Sequence, residues 1–253
     1  MKNPPLSLLM TGVVILFLMN GMLFASETDD RIESSAKQSY VFQTYLRGDD
    51  VQFTSKEGVV VLTGTVSEES HKTLAQDTVA NLPGVKSVEN KLEIKGEGPA
   101  VHSDGWLATK VKTSLLYHRS VSGLATEVDV KEGVVTLRGE AASQEQQDLT
   151  TEYAKDVDGV KTVKNEMTIS KTPLKPKEKT IGEKVDDASI TALAKSTLLY
   201  HRSTSGLKIK VETNDGVVTL SGKAKNTAEK DLAAKYVNDV NGVKSVNNQM
   251  TIE

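Results

Sequence analysis

Asp215-Gly216-Val217-Val218-Thr219-Leu220-Ser221-Gly222 reads as a tight turn feeding a β-strand. The Asp-Gly pair supplies turn chemistry, and the β-branched run behind it suits a pleated, half-buried surface. Just upstream, Leu207, Ile209 and Val211 alternate with Lys208, Lys210 and Glu212, the period-two pattern of a partner strand. The stretch is not unique in the chain. Gly58-Val59-Val60, Gly133-Val134-Val135 and Gly216-Val217-Val218 are each followed, 26 residues on, by Gly84-Val85-Lys86, Gly159-Val160-Lys161 and Gly242-Val243-Lys244. Leu115-Leu116-Tyr117-His118-Arg119-Ser120 recurs as Leu198-Leu199-Tyr200-His201-Arg202-Ser203, and Gly48, Gly123 and Gly206 share one repeat position. The spacing predicts three copies of one unit, at residues 29–95, 103–170 and 187–253, with Gly58, Gly84, Gly133, Gly159, Gly216 and Gly242 as structural turn glycines.

Within a unit, Ile190, Ala194 and Leu198 recur every four residues and predict a first helix with an apolar stripe, repeated by Leu107, Val111 and Leu115 and by Ile32, Ala36 and Tyr40. Two strands of the hairpin follow. Asn226 with Glu229, and Ser143 with Gln146, have the form of a helix N-cap and its reciprocal partner. They open a second helix that buries Leu232, Tyr236 and Val240. Val243 to Ile252 then alternates as a third strand. The expected fold class is α+β: three repeated two-layer modules, each αββαβ, with a three-stranded sheet covered by two helices. Gly96-Glu97-Gly98-Pro99 separates the first two modules, and the Pro- and Lys-rich linker at 171–186 precedes the third. An extended linker of that kind predicts a third module that moves independently of the others.

The 253 residues include no cysteine, which excludes disulfides, thiolate metal sites and a lipidated N-terminal cysteine. Lys2, the apolar run Leu6 to Phe24 and the small pair Ala25-Ser26 have the form of a secretory signal, so residues 1–25 are expected to be a signal peptide cleaved after Ala25. Loss of Lys2 takes the formal charge from −3 to −4, leaving no global attraction to nucleic acid. His71, His102, His118 and His201 fall in no metal-ligand spacing, and no nucleophile elbow or phosphate loop is present. No catalytic residue, metal or cofactor is therefore expected, and the chain reads as a non-enzyme.

Two sets of residues are candidates for contact with a partner. Arg119 and Arg202, with His118 and His201, end the first helices of two modules. There a cation can satisfy the last free carbonyls of the helix, or a guanidinium fork can grip a phosphate headgroup. Lys208, Lys210, Lys223 and Lys225 lie on or beside the hairpin of module three, which has 9 bases against 7 acids, whereas modules one and two each have 8 against 11. These lysines either form a basic patch for an anionic membrane surface or solvate an ordinary sheet edge.

The run Asp215 to Gly222, followed by Val240-Asn241-Gly242-Val243-Lys244-Ser245-Val246, resembles the BON domain. Module one keeps Glu57 to Gly64 and Leu82 to Val88, but its first helix and strand depart, with Asp49-Asp50 where the others are more apolar. An exported, cysteine-free chain of such modules is similar to the osmotically inducible periplasmic proteins, which usually carry two. The resemblance implies a location in the periplasm of a Gram-negative cell, no catalysis, and peripheral association with anionic phospholipid headgroups or with envelope proteins.

Overall fold

Each module is organised by a hairpin whose turn needs two residues with positive φ, the type I′ geometry that matches strand twist. The pairs are Glu57 and Gly58 (54° and 80°), Glu132 and Gly133 (54° and 78°), and Asp215 and Gly216 (49° and 77°). The computed structural model describes residues 27–96, 100, 102–170, 185–205 and 208–253. The expected signal peptide at 1–25, nearly all of the linker at 171–186, and Gly206 and Leu207 lie outside the described residues.

Module one runs α1 (27–38), α2 (Tyr40–Thr44), β1 (Asp50–Lys56), β2 (Val59–Val66), α3 (Glu69–Ala80), β3 (Ser87–Asn90) and β4 (Glu93–Ile94). Module two runs α4 (Asp104–Tyr117), β5 (Glu127–Lys131), β6 (Val134–Arg138), β7 (Glu140–Ala141), α5 (Gln144–Lys155), β8 (Thr162–Asn165) and β9 (Thr168–Ile169). Module three runs α6 (Asp187–Tyr200), β10 (Ile209–Asn214), β11 (Val217–Ala224), α7 (Thr227–Asn238), β12 (Ser245–Asn248) and β13 (Thr251–Ile252). In every module the hairpin is antiparallel and its second strand, central in the sheet, pairs in parallel with the strand after the second helix.

The last strand is interrupted, where the alternation predicts a continuous one. Asn90, Asn165 and Asn248 end β3, β8 and β12. Their side-chain NH₂ groups donate to the carbonyls of Lys72, Gln147 and Lys230, and their side-chain oxygens accept from the N–H of Leu92, Met167 and Met250. The asparagine thus ties the second helix to the break, and the apolar residue after it, Leu92, Met167 or Met250, is buried. The register with the central strand is kept across the gap.

Two further aspects depart from expectation. Helix α6 is not merely striped: Ala188 to Ala194, Ser196, Thr197 and Leu198 are all buried, so the helix is enclosed on nearly every side until its last turn, where Leu199 is exposed. Its small residues let neighbours approach closely. The second departure is its consequence. Module three does not move apart from the others, because α6 packs against α3 of module one, and one continuous core joins Ile32, Leu62 and Leu74 to Ile190, Leu193 and Leu220. Burying each such large side chain is worth about 1.5–3 kcal/mol. That outweighs the freedom an extended linker allows. At the start of α6, Asp186 and Ser189 accept from the N–H groups of Tyr40 and Val41, where the first helix of module one breaks at Ser39.

Candidate functional site

The sites argued from the sequence fall in two places. The Tyr-His-Arg-Ser ends of α4 and α6 meet each other between modules two and three, and Lys208, Lys210 and Lys223 lie on the open sheet face of module three with Lys225 just past its second strand.

Where α4 and α6 end, the chain runs extended through His118 and His201, which form isolated antiparallel bridges with Val240 and Val157 of the opposite module. The contacts come in matched pairs, the signature of a two-fold interface. Arg119 N–H donates to the Asp239 carbonyl, and Arg202 N–H to the Asp156 carbonyl, both at 2.8 Å. Ser120 and Tyr153 donate to the Asp239 carboxylate at 2.5 and 2.7 Å, and Ser203 and Tyr236 donate to that of Asp156 at 2.6 and 2.8 Å. His118 stacks on Tyr153 with centroids 3.9 Å apart, and His201 stacks on Tyr236 at 4.1 Å. The two imidazoles then meet, Nε2 to Nε2, at 3.0 Å.

This placement corrects part of the headgroup expectation. His118 and His201 are 2% and 0% exposed, so neither offers a face to a lipid. Arg119 is half-exposed, but its guanidinium is engaged: it donates to the carbonyls of Val243 and Asn238 at 2.8 and 2.6 Å and lies 3.7 Å from Asp239. Asn238 is the last residue of α7, so this cation satisfies the end of a helix in another module, where the local reading put it on its own. Arg202 stands 3.5 Å from Asp156. Burial, the largest influence, pushes Asp239 and Asp156 upward, but the neighbouring histidine, serine and tyrosine of each more than offset it, and both carboxyls sit below the usual range. Burial raises the tyrosines Tyr153 and Tyr236 above theirs.

Lys208, Lys210, Lys223 and Lys225 are all exposed. Ile209 pairs with Gly222 and Lys210 with Ser221, so alternation puts Lys208 and Lys210, with Ser221 and Lys223, on the face away from the helices. Lys210 pairs with Glu212 at 2.7 Å on that surface. In module two, 83 residues earlier, Glu127 and Glu140 stand where module three has Lys210 and Lys223.

Two aspects of the site were absent from the sequence reading. Asp29, Asp104 and Asp187, each within the opening turn of a first helix, accept from both turn N–H groups of their own hairpin at 2.6–3.0 Å. The signal is the constant 29-residue interval to Gly58, Gly133 and Gly216. The other is a junction of all three modules, where Tyr45 donates to the Leu116 carbonyl and accepts from Asn241, both at 3.2 Å, and packs edge-on against Tyr117. Among the described residues no cluster of three or more histidine, cysteine or acidic side chains is placed to hold a metal, and no helix is long and apolar enough to cross a membrane.

The family model of the BON domain matches residues 28–96, 103–171 and 186–253. The chain belongs to the BON domain family. A similar BON relative is "Osmotically-inducible protein Y" of Escherichia coli (strain K12), 33% identical over 147 residues, which are 58% of this chain and 71% of that protein. An "Uncharacterized protein in gshII 5'region" of Anaplasma centrale is 29% identical over 143 residues, 56% of this chain and 90% of that one. Among solved structures, the C-terminal domain of CdsD, a structural protein of the type III secretion system of Chlamydia trachomatis, is 16% identical. It aligns over 88% of this chain and 95% of that one, with a TM-score of 0.23.

Proposed function

We propose that the protein is a non-catalytic component of the cell envelope that associates peripherally with anionic phospholipid surfaces through the open sheet face of BON module three. The observation that carries this is the set of four exposed lysines, Lys208, Lys210, Lys223 and Lys225, at positions two of which are glutamates in module two. A near-surface lysine contributes about 1 kcal/mol against an anionic leaflet, so four give about 4 kcal/mol. On its own that corresponds to millimolar-range, reversible and salt-sensitive binding. The exposed Lys210–Glu212 pair costs little to exchange for a phosphate, because surface ion pairs are worth about 0–1 kcal/mol. The Osmotically-inducible protein Y relationship supports a role under osmotic stress, and the signal-like residues 1–25 support export to the periplasm.

Co-sedimentation of residues 26–253 with phosphatidylcholine vesicles, and with the same vesicles containing phosphatidylglycerol, tests the reading. Binding is expected only to the anionic vesicles, is lost in high salt, and is abolished when Lys208, Lys210, Lys223 and Lys225 are all changed to Glu. Absence of binding at low salt would sink it. Binding to envelope proteins that tolerates salt would favour partner capture at the open edge of β10, which among the described residues pairs only with β11.

A further inference from the structure

The interface between modules two and three contains a chain of four titratable groups that lipid contact leaves without a role. Asp239 Oδ2 faces His118 Nδ1 at 3.5 Å, the Nε2 atoms of His118 and His201 face each other at 3.0 Å, and His201 Nδ1 faces Asp156 Oδ2 at 3.4 Å. Both Nδ1 atoms are buried without a hydrogen-bond partner. Three contacts are thus spread over four ring nitrogens, and the number of protons decides which are favourable. Two neutral imidazoles carry two protons. One must lie between the Nε2 atoms, because two lone pairs 3.0 Å apart repel, and one ring then turns a bare Nδ1 toward a carboxylate. A third proton removes that clash: both Nδ1–H groups point at carboxylates and the Nε2 atoms share one proton. A fourth aims two N–H groups at each other across 3.0 Å between two positive rings.

The surroundings are consistent with a single extra charge. From the ends of α4 and α6, Arg119 and Arg202 lie 3.7 and 3.5 Å from Asp239 and Asp156, on guanidinium nitrogens, and Ser114 Oγ lies 3.4 Å from His201 Nε2. From α5 come Tyr153, Asp156 and Glu152, and from the α7 side come Tyr236, Asp239 and Lys235, the last paired with Glu152 at 3.3 Å. The tyrosines stay neutral and donate to the aspartates. Their rings stack on the imidazoles and close the site to water. The site belongs to modules two and three alone, since Gln43 stands in module one at the repeat position of His118 and His201.

We infer that the His118–His201 pair is a proton-binding site that clasps module two to module three, holding one shared proton in the closed interface and opening on arrival of a second. Burial holds His118 below the ordinary imidazole range against the pull of Asp239, and His201 adds to the lowering, the direction required of a pair that resists a second charge.

The test uses the protein as purified from cells that export it, with ¹⁵N-labelled histidine. At neutral pH both Nδ1 nitrogens are expected to be protonated and the two Nε2 resonances to lie at intermediate values. On acidification the Nε2 signals should reach fully protonated values over the same pH span in which energy transfer falls between dyes on the exposed positions Lys131→Cys and Glu212→Cys. The chain has no cysteine of its own, so both labels are unique. His201→Gln keeps a partner for His118 without a shared proton and is expected to lose the acid opening. A bare Nδ1 at neutral pH overturns the inference, as does an unchanged dye distance while the rings titrate, or an identical acid opening in His201→Gln. The ring spectra of the unsubstituted protein decide the matter even if that variant does not fold.

Discussion

At the scale of single residues, the hairpin turns show how a local device depends on a distant side chain. Glu57, Glu132 and Asp215 adopt positive φ, costly for residues with a Cβ, and the N–H groups they expose are taken up by Asp29, Asp104 and Asp187. Asp187→Ala leaves two amides without their acceptor and is expected to destabilise module three by about 1–2 kcal/mol, by analogy with loss of a helix cap. Urea titration would show a lower midpoint; an unchanged one would mean water replaces the carboxylate fully. Gly222 is constrained differently. At φ 136° its Cβ would collide with the Lys208 carbonyl, so Gly222→Ala is expected to cost about 1 kcal/mol or more, read the same way. The Asp-Gly turns were legible from the sequence because turn chemistry is local. The aspartate that holds them was legible only as a repeated spacing, with no local reason to pair residues 29 apart.

At the scale of elements, α6 and α4 descend from one repeat and do different work. The caps of the second helices follow the sequence: Ser143 and Asn226 accept from the N–H of Gln146 and Glu229, and the reciprocal oxygens accept from Ala142 and Lys225, one residue before the cap. In module one Glu68 replaces the cap, and its carboxylate accepts from Ser70 and from Thr113 of module two, so a capping position has become a contact between modules. The same shift explains α6. Ala192 lies one turn beyond Ser189, which holds Val41 of module one, and is fully buried, whereas the matched Thr109 in α4 is only half-buried. Ala192→Leu is expected to cost about 1–3 kcal/mol by overpacking, and Thr109→Leu much less. Differential scanning calorimetry of the two variants checks this; equal losses would place the modules further apart than their shared core requires. The apolar stripe of α6 was readable, but its enclosure was not, because alanine, serine and threonine suit a close helix contact and a solvated face equally well.

For the whole molecule, pH is the lever that reaches across modules. Burial depresses the folded-state value of His118, so the closed interface, which takes one extra proton but resists a second, loses stability as pH falls below the unfolded value of about 6.5 and through the folded value. Asp239 and Asp156 are also depressed, and their contribution persists until pH falls below about 4. The thermal midpoint is therefore expected to fall in two stages on acidification, the first absent when His118 and His201 are both replaced by Gln. A flat profile between pH 7 and 5 would mean that the interface admits both charges. By itself the sequence determined the repeat, the order of elements in each module, the turns and the exposed lysines of module three, all set by local periodicity and backbone chemistry. Only the tertiary structure decided that modules one and three share a core and that Tyr-His-Arg-Ser is an internal joint, because both depend on which surfaces meet. A buried imidazole and a solvated one are written with the same residue.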